Sequence, residues 1–302
     1  MIHLVHHPAY VAPAPARSQY QWNKNGLVRD LLRAEDAGFV WHEPAPMPRD
    51  WLEAVHDPDY VAEVLEARVP PDKERRIGFP VTPAVALRAQ IVPGGTYLAA
   101  QLAREHGYAA NTAGGSHHAL ADTGAGFCVF NDLALAAVRL AEEGQRVLIV
   151  DCDVHQGDGT AALTAGRADI ATYSIHAEKN FPVRKARSTL DVPLADGTGD
   201  AEYLDTLAAT LTPLLDDFAP DLVLYQAGVD PLQGDRLGRL ALSYRGLIDR
   251  DRWIATSFAR RGIPFASALG GGYGLDALEV SRRHVASILA LGSAAAKAAL
   301  PE

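Results

Sequence analysis

The 302-residue chain has only two cysteines, Cys128 and Cys152. Two cysteines do not suggest a disulfide framework, and they favour a reducing compartment. The first ten residues, MIHLVHHPAY, lack the basic segment and apolar segment that together mark a secretory signal. We therefore expect a cytoplasmic protein.

Long hydrophobic runs and clustered positive charge are also scarce. No apolar stretch reaches the roughly 18 residues that a membrane-spanning helix needs. The formal net charge is -9 and the isoelectric point is about 5.6, whereas a phosphate-binding surface needs clustered cations. The one dense cationic run, DKERR at Asp72–Arg76, also carries acids and is interpreted as a solvated loop. We expect neither nucleic acid nor a membrane as a partner.

From about residue 108, short apolar runs alternate with helical patterns. The runs are RVLIVDC, DIATYSI, DLVLYQAG and IPFASALGGGYG. Helices are predicted at about 158–165, 201–217 and 244–261, with a last one ending near residue 290. Continuous apolar runs between helices predict an α/β fold with a parallel sheet covered on both faces. No repeat or low-complexity linker divides the chain, so we interpret residues 1–302 as one domain.

The first third of the chain is less regular. The Pro- and Ala-rich stretch 7–22 is predicted to be a loop, and residues 48–69 to be a helix, a turn and a helix. Helical spacing continues from about residue 82 to 105, although Pro93, Gly94 and Gly95 lie inside it. Because these residues are costly in a helix, they predict a kink or close packing against a neighbour.

Polar residues collect where the predicted strands end. RVLIV is followed by Asp151, Asp153, His155 and Asp158, and ATYSI is followed by His176. LVLYQAGV is followed by Asp230 and Asp235, and GGGYG contains Tyr273. A separate glycine-rich loop adds His117 and His118. Ligands of parallel α/β sheets bind beyond the carboxyl ends of the strands. A functional site is therefore predicted at this rim.

Three of these residues have the pattern of a metal site. Asp153 and His155 are two residues apart, so in an extended segment they point the same way. Asp230 follows another strand and can supply a third ligand. Three protein ligands with an open position describe a catalytic divalent site. Two carboxylates and an imidazole fit zinc, and iron(II), cobalt and manganese remain alternatives. Taken alone, Asp153 could instead cap a helix while His155 is an ordinary buried polar residue.

The adjacent histidines His117 and His118 suit proton transfer near neutral pH. Each imidazole needs a partner that fixes its tautomer, and Asp151 and Asp158 are two carboxylates free for this task. An adjacent pair is a weak signal by itself. The other pair, His6–His7, lacks a glycine-rich context and receives no role.

Tyr273 follows three glycines, Gly270 to Gly272. Glycines let the backbone approach a ligand closely. A tyrosine hydroxyl there could donate a hydrogen bond to a carbonyl oxygen that gains negative charge. The alternative is a turn with an aromatic ring packed on it.

Six motifs together resemble the histone deacetylase superfamily of zinc-dependent lysine deacylases and acetylpolyamine amidohydrolases. They are GGSHHA, GFCVFND, DCDVHQGDG, YSIH, QAGVDPLQGDRLG and LGGGY, in the family's order over residues 114–273. The DVHQGDG spelling and the segment NFPVRKARSTLDVPLADGTGD are most similar to the class IV branch and its bacterial relatives. The resemblance implies the arginase–deacetylase fold, a single α/β domain with a central eight-stranded parallel sheet flanked by helices.

The resemblance also implies roles for individual residues. One zinc ion per chain would be held by Asp153, His155 and Asp230. His118 would be the general base and acid, and His117 its electrostatic partner, with Asp151 and Asp158 behind the two histidines and Tyr273 polarising the carbonyl. A structural potassium ion would use Asp151, Asp153, His155, Ser174 and Ile175. The walls of the acyl-lysine channel correspond to Gly126, Phe127, Phe181 and Gly271.

Two departures from the family pattern concern the rim of the channel. Many members have an aspartate there that binds the substrate backbone, and the corresponding stretch RRIGFPVTPAV contains none. The loop HAEKNFPVRKAR, which carries Phe181, lacks the usual glycines.

The activity implied is removal of an acetyl or other acyl group from lysine side chains of proteins or peptides. Alternative substrates are acetylpolyamines, other small amides and long-chain acyl-lysine. A dimanganese ureohydrolase would need further bridging carboxylates, and GVDPLQGD offers one well-placed aspartate. A non-catalytic acyl-lysine binder would be favoured by a missing catalytic residue, and every core position is present.

Overall fold

The computed structural model describes residues 1–14, 20–35 and 37–298. Eight strands in these residues form one sheet in which every neighbouring pair is parallel. The strands are β1 (Ile2–Val5), β2 (Phe39–His42), β3 (Tyr108–Asn111), β4 (Val147–Asp151), β5 (Ile170–Ala177), β6 (Leu190–Leu194), β7 (Leu222–Gln226) and β8 (Phe265–Ala268). Their order across the sheet is β2-β1-β3-β8-β7-β4-β5-β6.

Helices cover both faces of this sheet. Within the described residues they are α1 (Lys24–Ala34), α2 (Arg49–Glu53), α3 (Pro58–Leu65), α4 (Pro71–Ile77), α5 (Pro83–His106), α6 (Asp132–Glu142), α7 (Asp158–Leu163), α8 (Asp200–Phe218), α9 (Tyr244–Arg260) and α10 (Ala277–Ala298). Alternate residues of a strand face opposite sides, so Leu148 packs with α1, α8, α9 and α10, whereas Ile149 packs with α5 and α6. No helix in the described part of the chain is long and apolar enough to cross a membrane.

The predicted α/β fold with an eight-stranded parallel sheet is confirmed. The four apolar runs form β4, β5, β7 and β8, and the helices after them begin close to the predicted residues. The last helix continues to Ala298, about eight residues beyond its predicted end. The first third is more regular than predicted, because β1, β2 and α1 lie there in addition to the predicted helices, which are α2, α3 and α5. In the predicted loop 7–22, residues 8–10 form a short 3-10 helix, and residues 15–19 lie outside the described residues.

Close packing explains the unusual residues of α5, which is continuous through Pro93. A Cβ atom on Gly94 would clash with the carbonyl oxygen of Ala45, and one on Gly95 would clash with the hydroxyl of Tyr10. Of the two predicted alternatives, close packing is therefore the one that the structure supports.

The interpretation of Asp72–Arg76 as a loop was wrong, because these residues form most of α4. The helix begins with Pro71, whose ring suits a first turn, and ends at Gly78, which has φ +100°. Lys73 pairs with Glu63 at 2.6 Å, while Arg75 and Arg76 remain exposed. The charges of the run are solvated as expected, but on a helix.

Candidate active site

Four neighbouring strands, β3, β8, β7 and β4, carry the predicted site at their carboxyl ends. Asp153 and His155 follow β4, Asp230 follows β7, and Tyr273 follows β8. The His117–His118 loop follows β3. Because these strands are adjacent and parallel, segments distant in the chain converge at one edge of the sheet.

Asp153, His155 and Asp230 converge as the metal-site prediction requires. One ligand atom from each lies within 4.8 Å of the others, and the described residues contain no second group of this kind. His155 Nδ1 is 2.9 Å from Asp153 Oδ1 and 3.2 Å from Asp230 Oδ2. Asp230 Oδ2 is fully buried, yet it accepts no well-oriented hydrogen bond from the described residues. Buried carboxylates without full compensation are costly, so this donor set fits a divalent cation.

The pKa values of these groups reflect the crowded negative charge. Burial opposes protonation of His155, but the carboxylates of Asp153 and Asp230 raise the pKa of His155 to about 10. Burial and the neighbouring Asp153 carboxylate raise the pKa of Asp230 to about 7. A cation bound between the groups would offset the repulsion.

Main-chain donors hold the two carboxylates in place. The amide of Gly271 donates to Asp153 Oδ2 at 2.7 Å, and the amide of Val154 donates to Asp230 Oδ1 at 2.9 Å. A Cβ atom on Gly271 would clash with Asp230. Gly271, predicted as a channel residue, therefore also packs directly against the metal-site carboxylates.

The two predicted His–Asp pairs are present. His117 Nδ1 lies 2.7 Å from Asp151 Oδ2, and His118 Nδ1 lies 2.6 Å from Asp158 Oδ1. The two imidazole centroids are 4.0 Å apart. Each carboxylate can accept a hydrogen bond from a protonated Nδ1. The Nε2 atom on the other side of each ring then remains available.

The two histidines nevertheless have opposite pKa directions. Burial opposes protonation of His117, but the Asp151 and Asp153 carboxylates raise its pKa to about 9. Burial, followed by the neighbouring His117, lowers the pKa of His118 to about 3. The pKa directions thus favour protonation of His117 and the neutral form of His118, whose Nε2 can then accept a proton.

Tyr273 stands beside this group. Its main-chain amide donates to Asp235 Oδ2 at 2.7 Å, and its ring centroid is 6.4 Å from that of His155. Burial and the carboxylates of Asp153 and Asp230 hold the pKa of Tyr273 well above its usual value. The hydroxyl is thus a protonated hydrogen-bond donor across the physiological pH range.

Two of the predicted channel residues, Gly126 and Phe181, lie next to His118. Phe181 packs edge-on against the His118 ring, with centroids 4.7 Å apart. Gly126 and Phe127 both have positive φ, and a Cβ atom on Gly126 would come within 2.7 Å of His118 Cδ2. Gly126 and Phe127 also line a cavity of about 40 Å³. The rest of its lining includes His117, His118, Asp153, Tyr273, Lys24 and Arg88.

The residues of the predicted potassium site lie on and after two paired strands. Asp151 on β4 is directly opposite Ser174 on β5, and Ser174 and Ile175 are buried. Ser174 Oγ also lies 3.0 Å from Nδ1 of His176. The assignment of an ion to these residues stays a prediction.

Sequence reasoning missed two supporting residues. Asp235 was noted near the rim without a role, and its carboxylate accepts the amides of Tyr273, Leu237 and Gly238. Arg250 is fully buried in α9 and donates to the main-chain oxygens of Cys152 and Gly228. The sequence did contain a signal for Arg250. The adjacent charged residues Arg250 and Asp251 lie on the apolar face of the α9 pattern, between Leu247 and Ile254.

Comparison with known proteins agrees with this geometry. The chain is 45% identical over 287 residues to an uncharacterized protein of Picosynechococcus sp., covering 93% of this chain and 95% of that protein. It is 38% identical over 187 residues to histone deacetylase 2 of Arabidopsis thaliana, covering 60% of this chain and 48% of that longer protein. The chain thus spans about half the length of this named relative.

A solved structure shows the same architecture. The acetylpolyamine aminohydrolase from Burkholderia pseudomallei superposes with a TM-score of 0.78 over 96% of this chain and 99% of that chain, at 22% identity. This similarity shows that the two proteins share the arginase–deacetylase fold. The histone deacetylase domain, as a family model, matches residues 14–289 and so includes all four strands that carry the site. With that match across most of its length, the chain belongs to the histone deacetylase family.

Proposed function

We propose that the protein is a zinc-dependent amidohydrolase that removes an acetyl group from the side chain of lysine in proteins or peptides. One observation carries this proposal: His117, His118, Asp153 and Tyr273 line the same small cavity. A proton acceptor, a second imidazole, a candidate metal ligand and a hydroxyl donor thus line one cavity.

Asp153, His155 and Asp230 would hold the zinc ion, which when bound polarises a carbonyl group and makes water more acidic. His118 Nε2 accepts the proton of the attacking water, because Asp158 keeps the proton of the neutral ring on Nδ1. The Tyr273 hydroxyl donates to the amide oxygen as that atom becomes negative. His118 then returns its proton to the amine that leaves when the C–N bond breaks.

The size and polarity of the cavity favour a short acyl group. Its volume of about 40 Å³ holds only a few water-sized groups, and Lys24 and Arg88 contribute polar lining. Lys24 Nζ donates to the Gly270 carbonyl at 3.0 Å within this wall. Burying a long alkyl chain among such groups would desolvate them without compensation, which disfavours long-chain acyl-lysine.

Two further features belong to the proposal. Potassium would be held by Asp151, Asp153, Ser174 and the main-chain oxygens of His155 and Ile175, as the family resemblance implies. A cytoplasmic location is supported by two cysteines that are both buried and unpaired.

The test is hydrolysis of lysine peptides that carry acetyl, butyryl or myristoyl groups, with metal-depleted, zinc-loaded and chelator-treated protein. We expect turnover to require the metal and to fall with increasing chain length. Tight binding of acetyl-lysine peptide without turnover by the zinc-loaded protein would instead support a non-catalytic acyl-lysine binder. Two manganese ions per chain would support the ureohydrolase alternative.

A further inference from the structure

The mouth of the channel is cationic although the chain as a whole is acidic. The loop 178–187, EKNFPVRKAR, contains four cations and one acid, and its Phe181 packs on His118. On another side, the carbonyl oxygen of Arg76 accepts the amide of Gly126 at the channel wall. Two separate segments that carry basic residues therefore adjoin the channel entrance.

A third segment places a cation, Arg236, in a groove beside Tyr273. This groove has a volume of about 160 Å³ and is lined by Gln21, Phe127, Arg236, Leu237, Tyr273 and Gly274. The main-chain amide of Arg236 donates to the Tyr273 carbonyl at 3.1 Å, which places Arg236 next to the entrance. Its guanidinium is exposed and forms no ion pair with a described residue. Three positions further on, Arg239 is instead paired with Asp196 at 2.9 Å.

The described acids close to the groove form no ion pair with Arg236. Asp235 is buried, and its carboxylate is occupied by three main-chain amides. Asp276 accepts the amide of Leu278 at the start of α10. Glu178 and Asp122 are exposed on the loops that flank Phe181 and His118, and neither forms an ion pair with Arg236.

The same rim exposes large apolar side chains. Val183 is 96% exposed, Leu275 is 92% exposed, and Leu237 in the groove is 43% exposed. The main chain of Leu237 is tied to the Phe181 loop, because Asn180 Nδ2 donates to its carbonyl oxygen at 2.8 Å. Exposed apolar groups around a channel mouth favour a contact with a peptide surface over a contact with a small, highly hydrated amine.

We propose that the substrate lysine lies in a peptide or protein segment that has an acidic side chain near the acylated lysine, and that Arg236 binds that carboxylate. This inference rests on the proposed function and narrows its substrate class. Polycationic acetylated amines and lysine-rich segments are disfavoured, because the free cations of the rim repel them.

The test compares three acetyl-lysine peptides that differ only in their flanking residues, Asp, Asn or Lys, together with acetylspermidine. For the zinc-loaded protein we expect kcat/KM to be highest for the Asp peptide. One exposed ion pair corresponds to a preference of about two- to five-fold over the Asn peptide, and the preference falls with salt. Arg236→Glu should reverse the order of the Asp and Lys peptides, while Arg239→Gln, the matched control, should keep it.

The outcomes separate the two proposals. Hydrolysis of the Asn peptide without an acidic preference, or an unchanged order in Arg236→Glu, would overturn the substrate inference alone. Hydrolysis of acetylspermidine faster than of all three peptides would overturn both the substrate inference and the assignment of lysine peptides as the substrate. Loss of turnover on all four substrates would overturn the proposed function. Binding of labelled peptides is measured in the same experiment. Tighter binding of the Asp peptide that depends on Arg236 would support the binding surface even without turnover. Equal binding of the Asp, Asn and Lys peptides would overturn it.

Discussion

Nδ1 of His118 lies 2.6 Å from Oδ1 of Asp158, and the neighbouring His117 makes a contact of nearly the same length to Asp151. The surroundings of the two pairs nevertheless differ. His117 also has Asp153 Oδ1 at 3.8 Å from its Nε2, so two carboxylates favour its charged form. Burial, followed by the charge of a protonated His117, instead favours the neutral form of His118. Similar local contacts thus produce two histidines with different proton-transfer capacities.

Asp158→Asn should reduce kcat while leaving KM nearly unchanged. An amide can donate to Nδ1 of His118 and so stabilise the tautomer whose Nε2 carries the proton, which removes the acceptor. General acid–base catalysis contributes about 10²- to 10⁴-fold, so a loss of that order is expected. Steady-state kinetics on an acetyl-lysine peptide measures it. Asp217→Asn, an exposed aspartate on α8, is the control that keeps wild-type kinetics. Unchanged kcat in Asp158→Asn would remove His118 from its proposed role.

Tyr273→Phe should also reduce kcat, by about 10²- to 10³-fold, because the oxygen that gains negative charge loses one donor. The fold should be retained, since the contact with Asp235 is made by the main-chain amide of Tyr273 and not by its hydroxyl. Thermal unfolding and zinc content therefore serve as controls and should match the native protein. Full activity of the variant would show that another group stabilises the oxyanion.

A strand could be predicted from the sequence where its apolar pattern is long and contrasts clearly with the polar residues around it. β4, VLIVD, has four apolar residues in succession that are followed directly by charge, so both the strand and the site residues after it could be predicted. β1 and β2 have four residues each, and a histidine interrupts the apolar pattern of IHLV and shortens that of FVWH to three residues. Sequence spacing shows which residues follow a strand. It does not show which strands are neighbours.

Arg250 illustrates the second limit. A charged residue in a helical pattern is usually solvated, yet Arg250 is fully buried, and only the tertiary structure shows which main-chain oxygens it contacts. Similarly, Asp235 could be placed near the rim, but the three amides that it accepts come from two different segments of the chain.

Arg250→Met should destabilise the fold strongly and weaken zinc binding. The substitution leaves Asp251 buried without its ion pair, and breaking such a pair costs about 3–5 kcal/mol. It also releases the carbonyls of Cys152 and Gly228, which adjoin the segments that carry Asp153 and Asp230. Urea unfolding measures the first effect, and competition with a zinc chelator measures the second.

A second variant separates these two effects. Arg250→Met combined with Asp251→Leu removes the unpaired carboxylate and should recover part of the free energy of unfolding. Zinc affinity should remain low in the double variant, because the two carbonyls are still released. Zinc affinity that recovers together with stability would show that Arg250 acts only through the stability of the fold.

The stability of the protein should fall between about pH 6.5 and pH 4 partly because of His56. Its Nδ1 donates to the Leu120 carbonyl at 2.8 Å, and its Nε2 accepts the Asn131 amide at 3.0 Å, so the native contacts require the neutral ring. Burial lowers the pKa of His56 to about 4 in the folded protein, whereas the unfolded chain titrates near 6.5. Because the unfolded state gains the proton first, stability is complete above pH 6.5 and is lost as the pH falls toward 4. The loss attributable to this group is about 3 kcal/mol.

His56→Gln, which can form both hydrogen bonds without titrating, should flatten the pH dependence of the free energy of unfolding by that amount. Parallel curves for the native protein and His56→Gln across this range would contradict the assignment.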